Sequence, residues 1–94
     1  MKRLGLYGCG HLNKIVVECY KKGLLEGYEI VGCYSRTEDS RNEMAASLNI
    51  EPCNSYDELL NRNVDYIVEA TNPMATKEIL EKTINKGVNV ILLS

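Results

Sequence analysis

Within its first dozen residues the chain reads Leu4-Gly5-Leu6-Tyr7-Gly8-Cys9-Gly10-His11-Leu12-Asn13, a short apolar stretch that meets two closely spaced glycines and passes into helical spacing. Few local folds accept that order. A strand that turns sharply into a helix does, because Gly8 permits the tight turn and Gly10 lets the backbone come close to a ligand. The helix that follows offers unpaired N–H groups and the positive end of its dipole, a setting suited to a dinucleotide pyrophosphate. A third glycine would complete the usual spacing, and Asn13 stands in its place. That side chain can point outward as an ordinary helical residue, bond a phosphate oxygen, or crowd the ligand.

Strand and helix patterns alternate along the rest of the chain without a linker, repeat or low-complexity segment. The first strand is expected at Arg3 to Tyr7, and its helix carries Leu12, Ile15, Val16, Cys19 and Tyr20 on one face, with Asn13, Lys14, Glu18 and Lys21 elsewhere and a stop at Gly23. A second strand at Tyr28 to Tyr34 leads to a helix ending near Leu48, with Met44, Ala45 and Leu48 inward. Either Thr37 caps it, or Ser40 with Glu43 forms a capping box one turn later. A short third strand at Ile50 to Cys53 precedes a brief helix opened by Ser55 and Glu58 and carrying Leu59 and Leu60. The fourth strand, Val64 to Ala70, is nearly continuous in apolar residues, as a sheet covered on both faces requires. Asn72 and Pro73 then open a helix with Ala75, Ile79, Leu80, Thr83 and Ile84 inward, Gly87 ends it, and Val88 to Leu93 forms a fifth strand. Five strands alternating with four helices predict one domain over 1–94, a doubly wound parallel α/β sheet of the Rossmann type in the order 3-2-1-4-5.

The net charge of −2 gives no electrostatic basis for nucleic acid or an anionic membrane as the main partner. With no apolar run long enough to span a bilayer and no secretory leader, a cytoplasmic location is expected. Cys9, Cys19, Cys33 and Cys53 form no C-x-x-C pair and His11 is the single histidine, so no metal site is expected. Cys19 and Cys33 read as small buried hydrophobes. Cys9, between two glycines at a helix start, is either a reactive thiol of lowered pKa or a small filler beside the loop.

Ligands of such sheets bind outside the carboxyl ends of the strands where the strand order reverses, here between the first and fourth strands. The residues brought there are Gly8, Cys9, Gly10, His11 and Leu12 of the turn, Ser35 and Arg36 after the second strand, and Ala70 and Thr71 after the fourth. None has a catalytic assignment, and His11 reads as a partly exposed first-turn residue. NAD-preferring sites usually place a carboxylate at the end of the second strand, whereas Ser35 and Arg36 suit a 2′-phosphate. The expected cofactor is NADP in preference to NAD. In the other reading Arg36 is a solvated loop charge and Glu38 or Asp39 serves the ribose.

Four stretches, Leu6-Tyr7-Gly8-Cys9-Gly10, Ile30 to Arg36, Val64 to Ala70 and Val88 to Ser94, resemble the N-terminal domain of L-aspartate dehydrogenase within the homoserine-dehydrogenase-like NAD-binding domains. The resemblance covers essentially the whole chain and departs from the family pattern at Asn13 and Ser35. It implies a cofactor-binding domain that works with a C-terminal catalytic domain in the reversible oxidation of L-aspartate to iminoaspartate, a reaction that feeds NAD synthesis. It also places the catalytic histidine and substrate contacts beyond Ser94, so this chain alone is expected to bind cofactor without turnover. A different class of function is a stand-alone nucleotide-sensing or interaction module that associates, with itself or a partner, through the exposed edges of its third and fifth strands.

Overall fold

The computed structural model describes residues 1–70 and 73–93. Its elements are β1 (Lys2–Tyr7), α1 (His11–Lys21), β2 (Tyr28–Tyr34), α2 (Glu38–Leu48), α3 (Tyr56–Leu60), β3 (Tyr66–Glu69), α4 (Pro73–Asn85) and β4 (Asn89–Leu92). All strand pairs are parallel, and the sheet order is β2-β1-β3-β4. The fold class is therefore the expected one, with four strands in the order 2-1-3-4 rather than five in the order 3-2-1-4-5.

The missing strand is the expected third, Ile50 to Cys53. Pro52 has no N–H to give a ladder, and this stretch reaches β2 through a single backbone bond, Cys53 N–H to Cys33 O at 3.2 Å. Arg62 takes the carbonyls a strand would have used. Its guanidinium donates to Glu51 O at 2.7 Å, Pro52 O at 3.5 Å and, on β2 itself, Val31 O at 3.1 Å. A side chain closes the sheet where an edge strand was expected.

Two layers cover the sheet. On one face α1 and α2 bury Val17, Met44 and Ala45 against Leu4, Leu6, Ile30, Cys33 and Val68. On the other, α3 and α4 set Tyr56, Leu59, Leu60 and Ile79 on Tyr7, Cys53, Val64 and Ile67. Leu59 sits directly over two glycines of neighbouring strands: a Cβ on Gly5 would lie 3.0 Å from Leu59 Cδ1, and one on Gly32 only 2.8 Å. The missing side chains of the strands thus make the seat for α3.

Several helix ends match their sequence signals. Ser55 Oγ accepts from Glu58 N–H, and Glu58 reaches back to Asn54 N–H, capping α3. α2 starts after Thr37 rather than at Ser40, although the Thr37 hydroxyl makes no capping bond. Gly23 ends α1 and Gly87 ends α4, both at positive φ. α1 is turned from its expected face. Leu12 and Ile15 are 42% and 41% exposed, whereas Asn13 and Val17 are buried, because the helix enters from the glycine turn with position 13 beneath the loop. Ile84 is likewise exposed rather than inward, while Ile79 and Thr83 are buried as expected. The last two strands are shorter than expected: Val64, Asp65 and Ala70 fall outside β3, and Val88 and Leu93 outside β4. The expectations for Thr71, Asn72 and Ser94, and for the Ala75 side chain, lie outside the described residues. Among the described residues no helix is long and apolar enough to cross a membrane.

Burial pushes the Cys33 thiol up from 9.0 to about 12, with smaller contributions from Cys9 and Cys53. It pushes the Tyr56 hydroxyl from 10.0 to about 12, opposed by the hydrogen bond to Thr83. Both folded values lie above the unfolded ones, so the stability these neutral groups contribute is complete below the unfolded pKa and is lost as pH rises through the folded one. Urea midpoints are expected to stay level up to pH 9 and to fall between 9 and 12. In Cys33→Ala, itself less stable at all pH values, the decline should be shallower, because only the buried Cys9 and Cys53 thiols and the Tyr56 hydroxyl still contribute to it.

Candidate functional site

The carboxyl ends of β2, β1 and β3 are tied together by their own backbones. Gly8 N–H donates to Tyr34 O at 2.8 Å, joining the end of β1 to β2, and Ala70 N–H donates to Tyr7 O at 2.9 Å, joining it to β3. Gly8 holds φ +95°, a left-handed conformation that favours glycine. Gly10 is extended at φ −74° and needs no such freedom. Its constraint is proximity, since a Cβ there would lie 3.3 Å from Ala70 O across the switch point.

α1 begins at His11 with Gly10 as its N-cap, no side chain caps its first N–H groups, and no acidic residue stands in its first turn. Such an end attracts an anion. His11 and Leu12 are exposed in the first turn of α1. The expected residues Gly8, Cys9, Gly10, Ser35 and Ala70 do converge here. Thr71 lies outside the described residues.

Cys9 resolves toward the filler reading. Its thiol contacts Met44 Sδ at 3.7 Å. Burial raises its pKa, and the hydrogen bond to Ser35 and the charge of Lys14 offset this only in part. A thiol so placed is not activated.

Ser35 and Arg36 divide their roles. Ser35 is buried and its hydroxyl donates to Thr37 O at 3.0 Å, shaping the loop. Arg36 is exposed and lines a cleft of about 270 Å³ with Tyr7, Tyr34, Ser55, Tyr56, Asp57, Ile79 and Lys82. Glu38 and Asp39 are exposed in the first turn of α2. Two features of this corner were not singled out from the sequence. Tyr7 is paired with Tyr34 in register and packs edge-on to Tyr56 with ring centroids 4.9 Å apart, so three tyrosines form an aromatic wall. Arg41 donates to Ser35 O at 3.3 Å and lies 5.5 Å over the Tyr34 ring, adding a second guanidinium. The sequence signal was available: Tyr7 and Tyr34 each end a strand.

Asn13 follows none of its three open alternatives. It is 0% exposed, turned beneath the loop, with Nδ2 at 2.8 Å from Gly8 O, 3.1 Å from Tyr7 O and 3.3 Å from Val68 O. Its Oδ1 is buried without a hydrogen-bond partner, a cost of about 1–3 kcal/mol for such a group. This side chain therefore lies inside the turn rather than on its outer face. A dinucleotide fits the residues present, with glycine close approach at 8 and 10, an uncapped helix start, and a cleft beside Arg36.

A profile of the GFO/IDH/MocA oxidoreductase family, NAD-binding Rossmann fold, matches residues 2–92. The chain belongs to this family. Its cofactor is accordingly a nicotinamide dinucleotide. Among relatives of this oxidoreductase domain, L-aspartate dehydrogenase of Methanococcus maripaludis strain C6 is 27% identical over 94 residues, the whole of this chain and 35% of that protein. The chain thus spans about a third of the length of that curated relative. Biliverdin reductase of Synechocystis sp. PCC 6803, solved with biliverdin and NADP+, superposes with a TM-score of 0.83 at 22% identity, over 96% of this chain and 28% of that one. The WlbA dehydrogenase of Bordetella pertussis, solved with NADH and UDP-GlcNAcA, gives 0.84 at 23% identity, over 98% and 28%. These two likenesses concern the fold. Among the described residues no cluster of His, Cys, Asp or Glu could hold a metal.

Proposed function

We propose that this chain is the cofactor-binding part of an amino-acid dehydrogenase resembling L-aspartate dehydrogenase, with NADP(H) preferred over NAD(H). The cofactor supplies the hydride chemistry when bound. This chain's residues bind and orient it, the turn amides from Cys9 to Leu12 meeting the diphosphate and Arg36, on the loop that Ser35 shapes, the adenosine end. One observation carries the preference. At the end of β2 stands an exposed guanidinium at the mouth of a cleft, where an NAD site presents a carboxylate. Arg36 can make paired charge-assisted bonds to a phosphate.

Calorimetric titration with NAD, NADP and their reduced forms tests this. NADP should bind about tenfold more tightly, the scale of one charge-assisted contact. Arg36→Ala should remove that advantage and leave NAD affinity close to its starting value. Equal or tighter NAD binding overturns the preference.

The substrate and a reaction centre outside these 94 residues are proposed from the relatives alone. A hydride transfer needs the substrate carbon held against the nicotinamide with water excluded. Turnover of aspartate with NADP by this chain would refute the last point. A stand-alone nucleotide-sensing or interaction module is favoured by a different observation, an open apolar groove of about 360 Å³ lined by Leu4, Val16, Leu25, Tyr28, Tyr66, Val68, Ile91 and Leu93. Aspartate dehydrogenase activity in a longer protein carrying this domain would exclude it.

A further inference from the structure

We infer that Asn13 is a positioning residue for the diphosphate part of the ligand: from beneath, it holds the glycine turn in the form whose Cys9 amide faces outward. The inference rests on the dinucleotide reading and concerns a residue that departs from the family's glycine.

A trans peptide sets its C=O and N–H in opposite directions. Asn13 Nδ2 draws Gly8 O inward at 2.8 Å, so the N–H of the same peptide unit, that of Cys9, is aimed away from the helix interior. It draws Tyr7 O inward at 3.1 Å, and the N–H of that unit, on Gly8, is the one that reaches Tyr34 O. The third contact, to Val68 O at 3.3 Å, anchors the same amide to β3. The Tyr7–Gly8 unit is already held by Ala70 N–H and Tyr34 O, so the plane this side chain sets by itself is that of Gly8–Cys9, which it fixes to both strands that flank the switch point. A glycine here would leave the Gly8 carbonyl to the loop's own preferences.

The cost of this arrangement points the same way. Oδ1 is buried with no hydrogen-bond partner, an expense that a glycine or alanine would avoid. Backbone contacts between β1, β2 and β3 already tie the strand ends. What the amide adds is orientation of the turn before ligand arrives, and a preorganised site loses less freedom on binding.

The test separates the two ends of the ligand. ADP-ribose carries the diphosphate, and adenosine 2′-phosphate carries only the Arg36 end. Asn13→Ala should weaken ADP-ribose binding by about tenfold, since the oriented Gly8–Cys9 peptide unit is released. Adenosine 2′-phosphate affinity should not change. Urea midpoints are measured alongside, and Asn13→Gly, the residue usual in this motif, serves if the alanine variant does not fold. A general loosening of the fold would weaken both ligands alike. If the unmutated chain binds both and the variant weakens both equally or neither, the role of Asn13 is overturned while the dinucleotide reading stands. An unmutated chain that does not bind ADP-ribose removes that reading and this inference with it.

Discussion

Leu59→Ala should lower the unfolding free energy by about 3–5 kcal/mol, the range for a fully buried leucine whose site cannot collapse. Leu59 is 0% exposed and rests over Gly5 and Gly32, where no β-carbon exists to fill space left by its departure. Strand backbones locked in a parallel ladder cannot move up to close the gap. A domain of this size is held by about 5–15 kcal/mol in all, so the loss is a large fraction of its stability. Urea unfolding is the measurement, with the midpoint falling and the slope unchanged. A shift below about 1 kcal/mol, the size typical of an average point mutation, would show that α3 is not seated as described. Gly32→Ala attacks the same contact from below, since its Cβ would lie 2.8 Å from Leu59 Cδ1.

The second large effect is on binding. Gly10→Val should reduce dinucleotide affinity by ~100-fold, equivalent to about 2.7 kcal/mol. Gly10 has an extended φ of −74°, so valine meets no backbone prohibition there. Its obstacle is space: even a Cβ approaches Ala70 O to 3.3 Å, and the two methyl groups beyond it would enter the gap between the turn and β3. Stability should change little by comparison, because Gly10 is exposed. Titration with ADP-ribose and a urea midpoint on the same variant distinguish loss of the seat from loss of the fold. Unchanged affinity would mean that the diphosphate does not rest on the turn at Gly10.

Elements whose signals are local were legible in the sequence. The glycine turn, Gly23, Gly87 and the Ser55–Glu58 pair act through backbone conformation or capping over a few residues, and each stands where expected. Burial on α1 was not legible, because the rotation of a helix is fixed by where the preceding loop delivers it. Leu12 and Ile15 are apolar and still face outward, while a polar Asn13 takes the inside position. Nor could the apolar residues at 50 and 53 reveal that Arg62, some ten positions later, would claim the carbonyls between them. The site followed the same division. Gly8, Gly10, Ser35, Arg36 and Ala70 could be placed at one end of the sheet from strand ends and turns, but the tyrosine wall and Arg41 arise from neighbours in space.

Arg62 has a further consequence for how the domain can grow. A guanidinium offers donors alone, so along the flank of β2 that it covers an incoming chain finds the acceptor at Val31 already satisfied and no alternation to copy. A further strand pairing along that stretch of β2 would have to displace the Arg62 guanidinium first.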